Sequence, residues 1–302
     1  MVPEHIWQRP ITHSQGPRPP NFMETISTVQ AMRDKARELR RSGKKIAFVP
    51  TMGALHRGHV KLIERAKQSG DTVVVSIFVN PRQFNDPADL AKYPRDLEKD
   101  KRLCAKAGAH IVFAPAGDDM YPPGFLTTAS VSLLTAKFEG EHRPGHFRGV
   151  CTVVLKLLII VQPATLILGL KDAQQFTVLQ HMIDDLCLDV EVIGVTTVRD
   201  KDGLALSSRN VLLSKDDRAK ALSMSRALKR VHFLVRKQGI LHAGELMGAI
   251  RSTIEGEDVE LDYAAIVNRT TLEPLDHVVR GGTYVLLAIR VGGVRLIDTT
   301  RI

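Results

Sequence analysis

Two imidazoles, His56 and His59, sit three positions apart with Gly58 between them, in the run 50–59 (PTMGALHRGH). The run follows a short apolar stretch and precedes an amphipathic one. That places the pair at the mouth of a helix, where unpaired N–H groups and the helix dipole favour a phosphate. At this spacing both rings can face one phosphate and donate hydrogen bonds to oxygens that gain charge as phosphorus is attacked. Gly58 leaves room for a nucleotide against the backbone. His-x-Gly-His alone is a weak pattern that an ordinary polar loop also satisfies. Metal binding by the pair ranks lower, because no third ligand at metal-site spacing accompanies it.

Three more clusters carry polar side chains at the ends of apolar runs. The first is Asn80, Pro81 and Gln83, whose amides can donate and accept toward a substrate bearing hydroxyls and a carboxylate. The second is Gly169, Leu170, Lys171, Asp172 and Gln175. There Lys171 could neutralise a transferring phosphate and Gln175 could face the substrate. Asp172 is either a helix cap or a contact to a ribose or a metal. The third is 202–210 (DGLALSSRN), where Ser207, Ser208 and Arg209 could clamp a triphosphate. Plain loop chemistry is the bland reading of each cluster. No nucleophile elbow, Walker loop or cysteine nucleophile context appears. The collected groups suit in-line transfer of a nucleotide group by positioning and charge stabilisation.

The elements that must hold these groups alternate. Apolar spacing predicts a helix over 24–41, a buried strand over 45–50, a helix over 59–69 and a β-branched strand over 72–79. Gly70 is expected to end the second helix with a left-handed backbone. A helix within 90–108, a strand over 110–114, a helix over 150–161 and a strand over 165–168 follow. A helix over 174–187 and a strand over 190–195 complete the alternation. Strands separated by helices imply a parallel sheet, with ligands beyond the carboxyl ends of its strands. After Thr197 the pattern changes to helices over 215–238 and 243–255, then strands over 261–267, 283–289 and 294–298, with glycine pairs suited to turns. The expected fold is α/β, a Rossmann-like parallel sheet with helices on both faces plus a smaller C-terminal α+β lid. The expected divisions are a disordered or extra N-terminal extension (1–22), a nucleotide- and substrate-binding domain (23–197) and the lid (198–302).

Composition narrows the partners. The 302 residues carry a net charge of +9, which attracts small anions, but no dense Lys/Arg block or basic aromatic patch argues for nucleic acid. Three scattered cysteines, Cys104, Cys151 and Cys187, exclude a disulfide framework and fit a reducing cytoplasm. The longest apolar stretch, 150–170, is broken by Lys156, Gln162 and Pro163, so no membrane span is expected.

Taken in order, the segments at 50–59, 76–84 (SIFVNPRQF), 93–100 (YPRDLEKD), 143–157 (RPGHFRGVCTVVLKL), 169–175 (GLKDAQQ), 202–210 and 295–299 (RLIDT) resemble the pantothenate synthetase (pantoate–β-alanine ligase) family. The resemblance implies a member of the nucleotidyltransferase superfamily whose His-x-Gly-His signature is shared with class I aminoacyl-tRNA synthetases. It implies a cytoplasmic homodimer in coenzyme A biosynthesis. It also implies ATP as a substrate, with Mg²⁺, and the joining of pantoate to β-alanine through pantoyl adenylate. Carried over, Met52, Gly53, Ala54, Leu55, His56, Arg57, Gly58 and His59 form the nucleotide loop, with His59 catalytic. Gly169, Leu170, Lys171, Asp172, Val198, Leu206, Ser207, Ser208 and Arg209 bind ATP. Gln83 and Gln175 bind pantoate, and Gln83 borders the β-alanine site. His56 and Lys171 join His59 in handling the phosphate. Three positions depart from the family pattern: Leu170 replaces a glutamate, Arg57 an acidic residue and Thr196 a proline. The alternatives are another nucleotidyltransferase of the superfamily with a phosphate-bearing acceptor, or a nucleotide- or RNA-associated homologue that has lost activity.

Overall fold

The computed structural model describes residues 23–302, so the expected extension at 1–22 lies outside the described residues. Six strands form a parallel sheet: β1 (Glu24–Ile26), β2 (Ile46–Thr51), β3 (Thr72–Ile77), β4 (Ile111–Phe113), β5 (Thr165–Gly169) and β6 (Glu191–Val195). Their order is β1-β4-β3-β2-β5-β6. The chain builds outward from β2 on one side to β3 and on the other to β5. A crevice therefore opens beyond the carboxyl ends of β2 and β5, where a doubly wound sheet binds ligands.

The connecting helices are α1 (Val29–Arg41), α2 (Arg57–Ala66), α3 (Pro87–Lys92), α4 (Leu97–Ala107), α5 (Gly117–Met120), α6 (Glu139–His142), α7 (His146–Val161) and α8 (Ala173–Asp185). Alternation along the strands serves both faces of the sheet. Ile46, Phe48, Val74 and Leu166 pack with Met32 of α1, Leu158 of α7 and Val178 of α8. Ala47, Val49, Val73, Val75 and Ile167 pack with Ile63 of α2 and Cys104 of α4. The stretch 150–170 is helix, turn and strand: α7 ends at Val161, and Gln162-Pro163 turns the chain into β5.

A second sheet is antiparallel, with order β7 (Glu260–Asn268), β8 (Thr283–Val291) and β9 (Val294–Arg301). It packs against α9 (Lys215–Gln238) and α10 (Ala243–Glu255) through Met224, Leu228, Leu246, Ile250, Val285 and Ile289. Gly292 and Gly293 both have positive φ, the two-residue turn that matches the twist of a hairpin.

Local expectations needed correction. The helix expected from residue 24 starts at Val29, because 24–26 extend along β4 with Ile26 opposite Phe113 and Thr28 then caps the helix by accepting from Ala31 N–H at 3.2 Å. The helix expected from His59 starts at Arg57, with His56 as its cap. Gly70 is not left-handed. A Cβ there would lie 2.9 Å from the Ala47 nitrogen, so glycine serves the close approach of the chain to β2. The region 90–108 contains the end of α3 and then α4, and the helix expected from 150 begins a turn earlier at His146.

Candidate functional site

A cleft with a cavity volume of about 330 Å³ opens at the carboxyl ends of β2 and β5, between the two sheets. Its floor is the loop after β2. There Thr51 donates to the Ser76 carbonyl at 2.7 Å and accepts from Gly53 N–H at 3.2 Å. Ala54 and Leu55 donate their N–H groups to the two oxygens of Asp100 on α4, at 2.9 and 2.8 Å. Asp100 is buried, and its carboxylate would lie 2.9 Å from a Cβ at Gly53, whose φ is +79°. Glycine there lets the acid close against the turn.

The two histidines cap α2 reciprocally. His56 Nδ1 accepts from Gly58 N–H at 3.1 Å, and His59 Nδ1 accepts from His56 N–H at 3.2 Å. With both Nδ1 atoms accepting, the proton of each neutral ring lies on Nε2. The ring centroids are 4.2 Å apart. Burial, then the nearby Lys171 ammonium, pushes His56 down to about 4. Burial, then His56 and Lys171, pushes His59 down to about 3. Both rings are therefore neutral hydrogen-bond donors at neutral pH, and Lys171 lines the same cleft. A Cβ at Gly58 would sit 2.8 Å from the His56 ring, so the glycine is needed for His56 to fold back over the helix start.

On the opposite wall, Asn80 accepts from the Tyr121 hydroxyl at 2.9 Å and donates to the Gln83 side-chain oxygen at 2.9 Å and the Gly149 carbonyl at 3.1 Å. The Gln83 oxygen is thus occupied, which leaves its NH₂ for a ligand. His146 is buried, and its Nδ1 lies 2.9 Å from the Gln83 carbonyl. Burial and then Arg143 depress His146 to about 4. Arg143 reaches the Gln83 carbonyl at 3.3 Å and makes no ion pair with an acid among the described residues. Burial, then Arg209, pulls its pKa below the usual arginine value.

Of the residues singled out from sequence, Met52, His56, Gly58, His59, Gln83, Gly169, Lys171, Asp172, Gln175, Val198, Leu206, Ser207, Ser208 and Arg209 line the cleft. Gly53, Ala54 and Leu55 lie behind its floor and shape the loop rather than face the cavity. Arg57 is exposed and pairs with Asp200. Leu170 packs over Gly194 beside Phe176 and does not line the cleft. Asp172 holds the cap position of α8 but makes no capping bond. Thr196 lines the cleft. Sequence reasoning assigned no role to Tyr93, Glu139, Arg143, His146, Tyr263 or Arg295, which also line it. A usable signal was the Arg143-Pro144-Gly145-His146 turn ahead of an apolar helix. No cluster of three or more His, Cys, Asp or Glu able to hold a metal occurs among the described residues. No helix among them is long and apolar enough to cross a membrane.

Residues 24–301 match the family model for pantoate-beta-alanine ligase. The chain belongs to the pantoate–β-alanine ligase family. A pantothenate synthetase of Syntrophotalea carbinolica is 46% identical over 93% of this chain and 99% of its own length. One from Pelotomaculum thermopropionicum is 47% identical over 91% of this chain and 98% of its own length. Among solved structures, the Thermus thermophilus pantothenate synthetase superposes with a TM-score of 0.87 at 46% identity, covering 92% of this chain and 99% of that one. The Francisella tularensis pantoate–β-alanine ligase, solved in complex with beta-gamma ATP and beta-alanine, has a TM-score of 0.76 at 36% identity. It covers 93% of this chain and 98% of that one. The Rossmann-like parallel sheet with a smaller antiparallel sheet is thus the architecture of the pantoate–β-alanine ligases.

Proposed function

We propose that this chain condenses pantoate with β-alanine in two steps driven by ATP, as part of coenzyme A biosynthesis. A pantoate carboxylate oxygen attacks the α-phosphorus of ATP, an O–P bond forms, and pyrophosphate leaves. The neutral amine of β-alanine then attacks the acyl carbon of pantoyl adenylate, loses a proton and displaces AMP. Adenylation is needed because a free carboxylate is a poor target for an amine, whereas AMP is a good leaving group.

The observation that carries this reading is the convergence of two neutral, Nε2-protonated imidazoles and the Lys171 side chain on one cleft at the ends of β2 and β5. Fixed donors and a cation facing the α-phosphate stabilise charge that grows in the transition state. Ser207, Ser208 and Arg209 face the remaining phosphates, and Gln83 and Gln175 hold pantoate by their amides. Arg143, which makes no direct ion pair among the described residues although Glu139 and Asp89 act on it from nearby, suits the carboxylate of β-alanine beside Gln83. Mg²⁺ takes oxygen ligands from one or two carboxylates and from phosphates. Asp172, in the cleft without a capping bond, fits that donor set, and the ion would screen charge on the triphosphate. Residues 198–302 form the lid, and the active species is a cytoplasmic homodimer; size-exclusion chromatography with light scattering measures the second point.

Pantoate-dependent ATP–pyrophosphate exchange tests the reading directly. The wild-type protein exchanges only with pantoate present and forms pantothenate when β-alanine is added. His59→Ala lowers exchange by about 100-fold while the Kd for ATP changes far less, since the ring acts on developing charge. Absence of exchange, or equal losses in binding and exchange, contradicts the assignment.

A further inference from the structure

Two loops that face the nucleotide come from different parts of the chain. One is the loop after β2, which carries His56 and His59. The other is the segment Leu206–Arg209, which follows a narrow turn closed by the bridge between Arg199 and Ala205. Asp200 sits at the base of that turn, where its N–H donates to the Leu204 carbonyl at 2.8 Å, and Leu206 N–H donates to the Val198 carbonyl at 2.9 Å. Arg57, the first residue of α2, donates from Nη2 to Asp200 Oδ1 at 2.5 Å. The other oxygen of Asp200 accepts from Arg218 of α9 at 2.8 Å, and Arg218 also donates to Asp202 at 2.9 Å. Where the loops meet, a Cβ at Gly58 would lie 3.9 Å from the Leu206 Cβ. Arg57 itself is not among the side chains that line the cleft.

We infer that Arg57 and Asp200 form a latch that fixes the spacing of these two loops, making Arg57 a positioning residue for ATP without touching it. An acidic residue at position 57 would instead repel Asp200. The latch acts between loops that otherwise meet by packing at this point, and Arg218 of α9 holds Asp200 in place. As an ion pair that is more than half exposed on the arginine, its effect is modest, roughly two- to fivefold on nucleotide affinity.

The inference rests on ATP occupying the cleft, and a double-mutant cycle read two ways separates the two ideas. Arg57→Met, Asp200→Asn and the double variant are compared with wild type for the KM of ATP and kcat. They are also compared, without nucleotide, for the rate of tryptic cleavage after Lys201, an exposed residue of the turn. The latch predicts that Arg57→Met raises the KM of ATP about two- to fivefold with little change in kcat and speeds cleavage after Lys201. Arg57→Lys recovers most of both, and Arg57→Met adds nothing once Asp200 is Asn. An Arg57→Met effect of equal size in the Asp200→Asn background would mean that Arg57 acts only as a free cation, and would overturn the latch. So would no effect in either readout. Wild type that exchanges pyrophosphate but gives an additive cycle overturns the latch alone. Wild type that does not use ATP overturns the functional reading, and the proteolysis cycle still decides the latch.

Discussion

At the scale of single residues, the groups visible in the sequence were those with an unusual side chain at a strand end: His56, His59, Gln83, Lys171 and Arg209. The groups that were not visible act through burial or through distant partners. Asp100 reads as one more acid in a charged helix until the fold brings its carboxylate to the Ala54 and Leu55 N–H groups. His146 reads as a loop residue until it is buried against the Gln83 carbonyl. That burial has a measurable consequence. In the unfolded chain a histidine takes up its proton near pH 6.5, whereas folded His146 does so only near 4. Between those values the unfolded state binds more protons, so stability falls as pH falls, by about 1.4 kcal/mol per pH unit for one such group near pH 5. Below about 4 that loss is complete. His146→Asn keeps a donor for the Gln83 carbonyl but cannot titrate. Urea unfolding of this variant between pH 7 and 4 should show a shallower decline than wild type; identical slopes would show that the ring is solvated.

At the scale of elements, hydrophobic periodicity located the parallel strands and most of the long helices, because burial on two faces leaves a strong pattern in β2, β3 and β5. Periodicity could not reveal β1, a three-residue edge strand made by pairing with β4, nor the 3₁₀ turn Pro81–Gln83 that carries Gln83. That turn is set by packing. The Gly149 face of α7 runs against Arg82 and Gln83, and a Cβ on Gly149 would meet the Arg82 carbonyl and lie 2.7 Å from the Gln83 Cα. The obstacle is backbone, so it cannot rotate away. Gly149→Ala therefore drives α7 and the turn apart and swings the Gln83 amide off the cleft wall. Overpacking of this kind costs about 1–3 kcal/mol. Denaturant unfolding should register that loss, and the KM for pantoate should rise more than the KM for ATP. If only stability changes, Gln83 is positioned by something other than this contact.

At the scale of the whole molecule, the question is what holds the antiparallel sheet against the parallel one around the cleft. Links between them at the cleft include three from β7 and β9. Thr299 of β9 donates to the Lys171 carbonyl at 3.0 Å, Tyr263 of β7 donates its hydroxyl to Glu139 at 3.0 Å, and Arg295 of β9 donates to the other Glu139 oxygen at 2.7 Å. Arg295 also reaches Asp262 at 2.5 Å. Burial alone would raise the Glu139 pKa, but the Arg295 guanidinium and the Tyr263 hydroxyl hold it below the usual carboxylate range. This charged contact between the sheets is largely out of water, so removing one partner strands a buried charge. Arg295→Met leaves Glu139 buried without its cation, which typically costs about 3–5 kcal/mol. Replacing Glu139 by Met as well removes the stranded charge, so the double variant should recover at least half of the loss in urea unfolding at pH 7. The contact is also sensitive to acid: because the folded pKa of Glu139 is depressed, its contribution is present above the unfolded carboxylate value and disappears as pH falls through the lower folded value. A double variant no more stable than Arg295→Met would mean that Arg295 works mainly through Asp262, within the second sheet, and that the sheets are joined chiefly by packing.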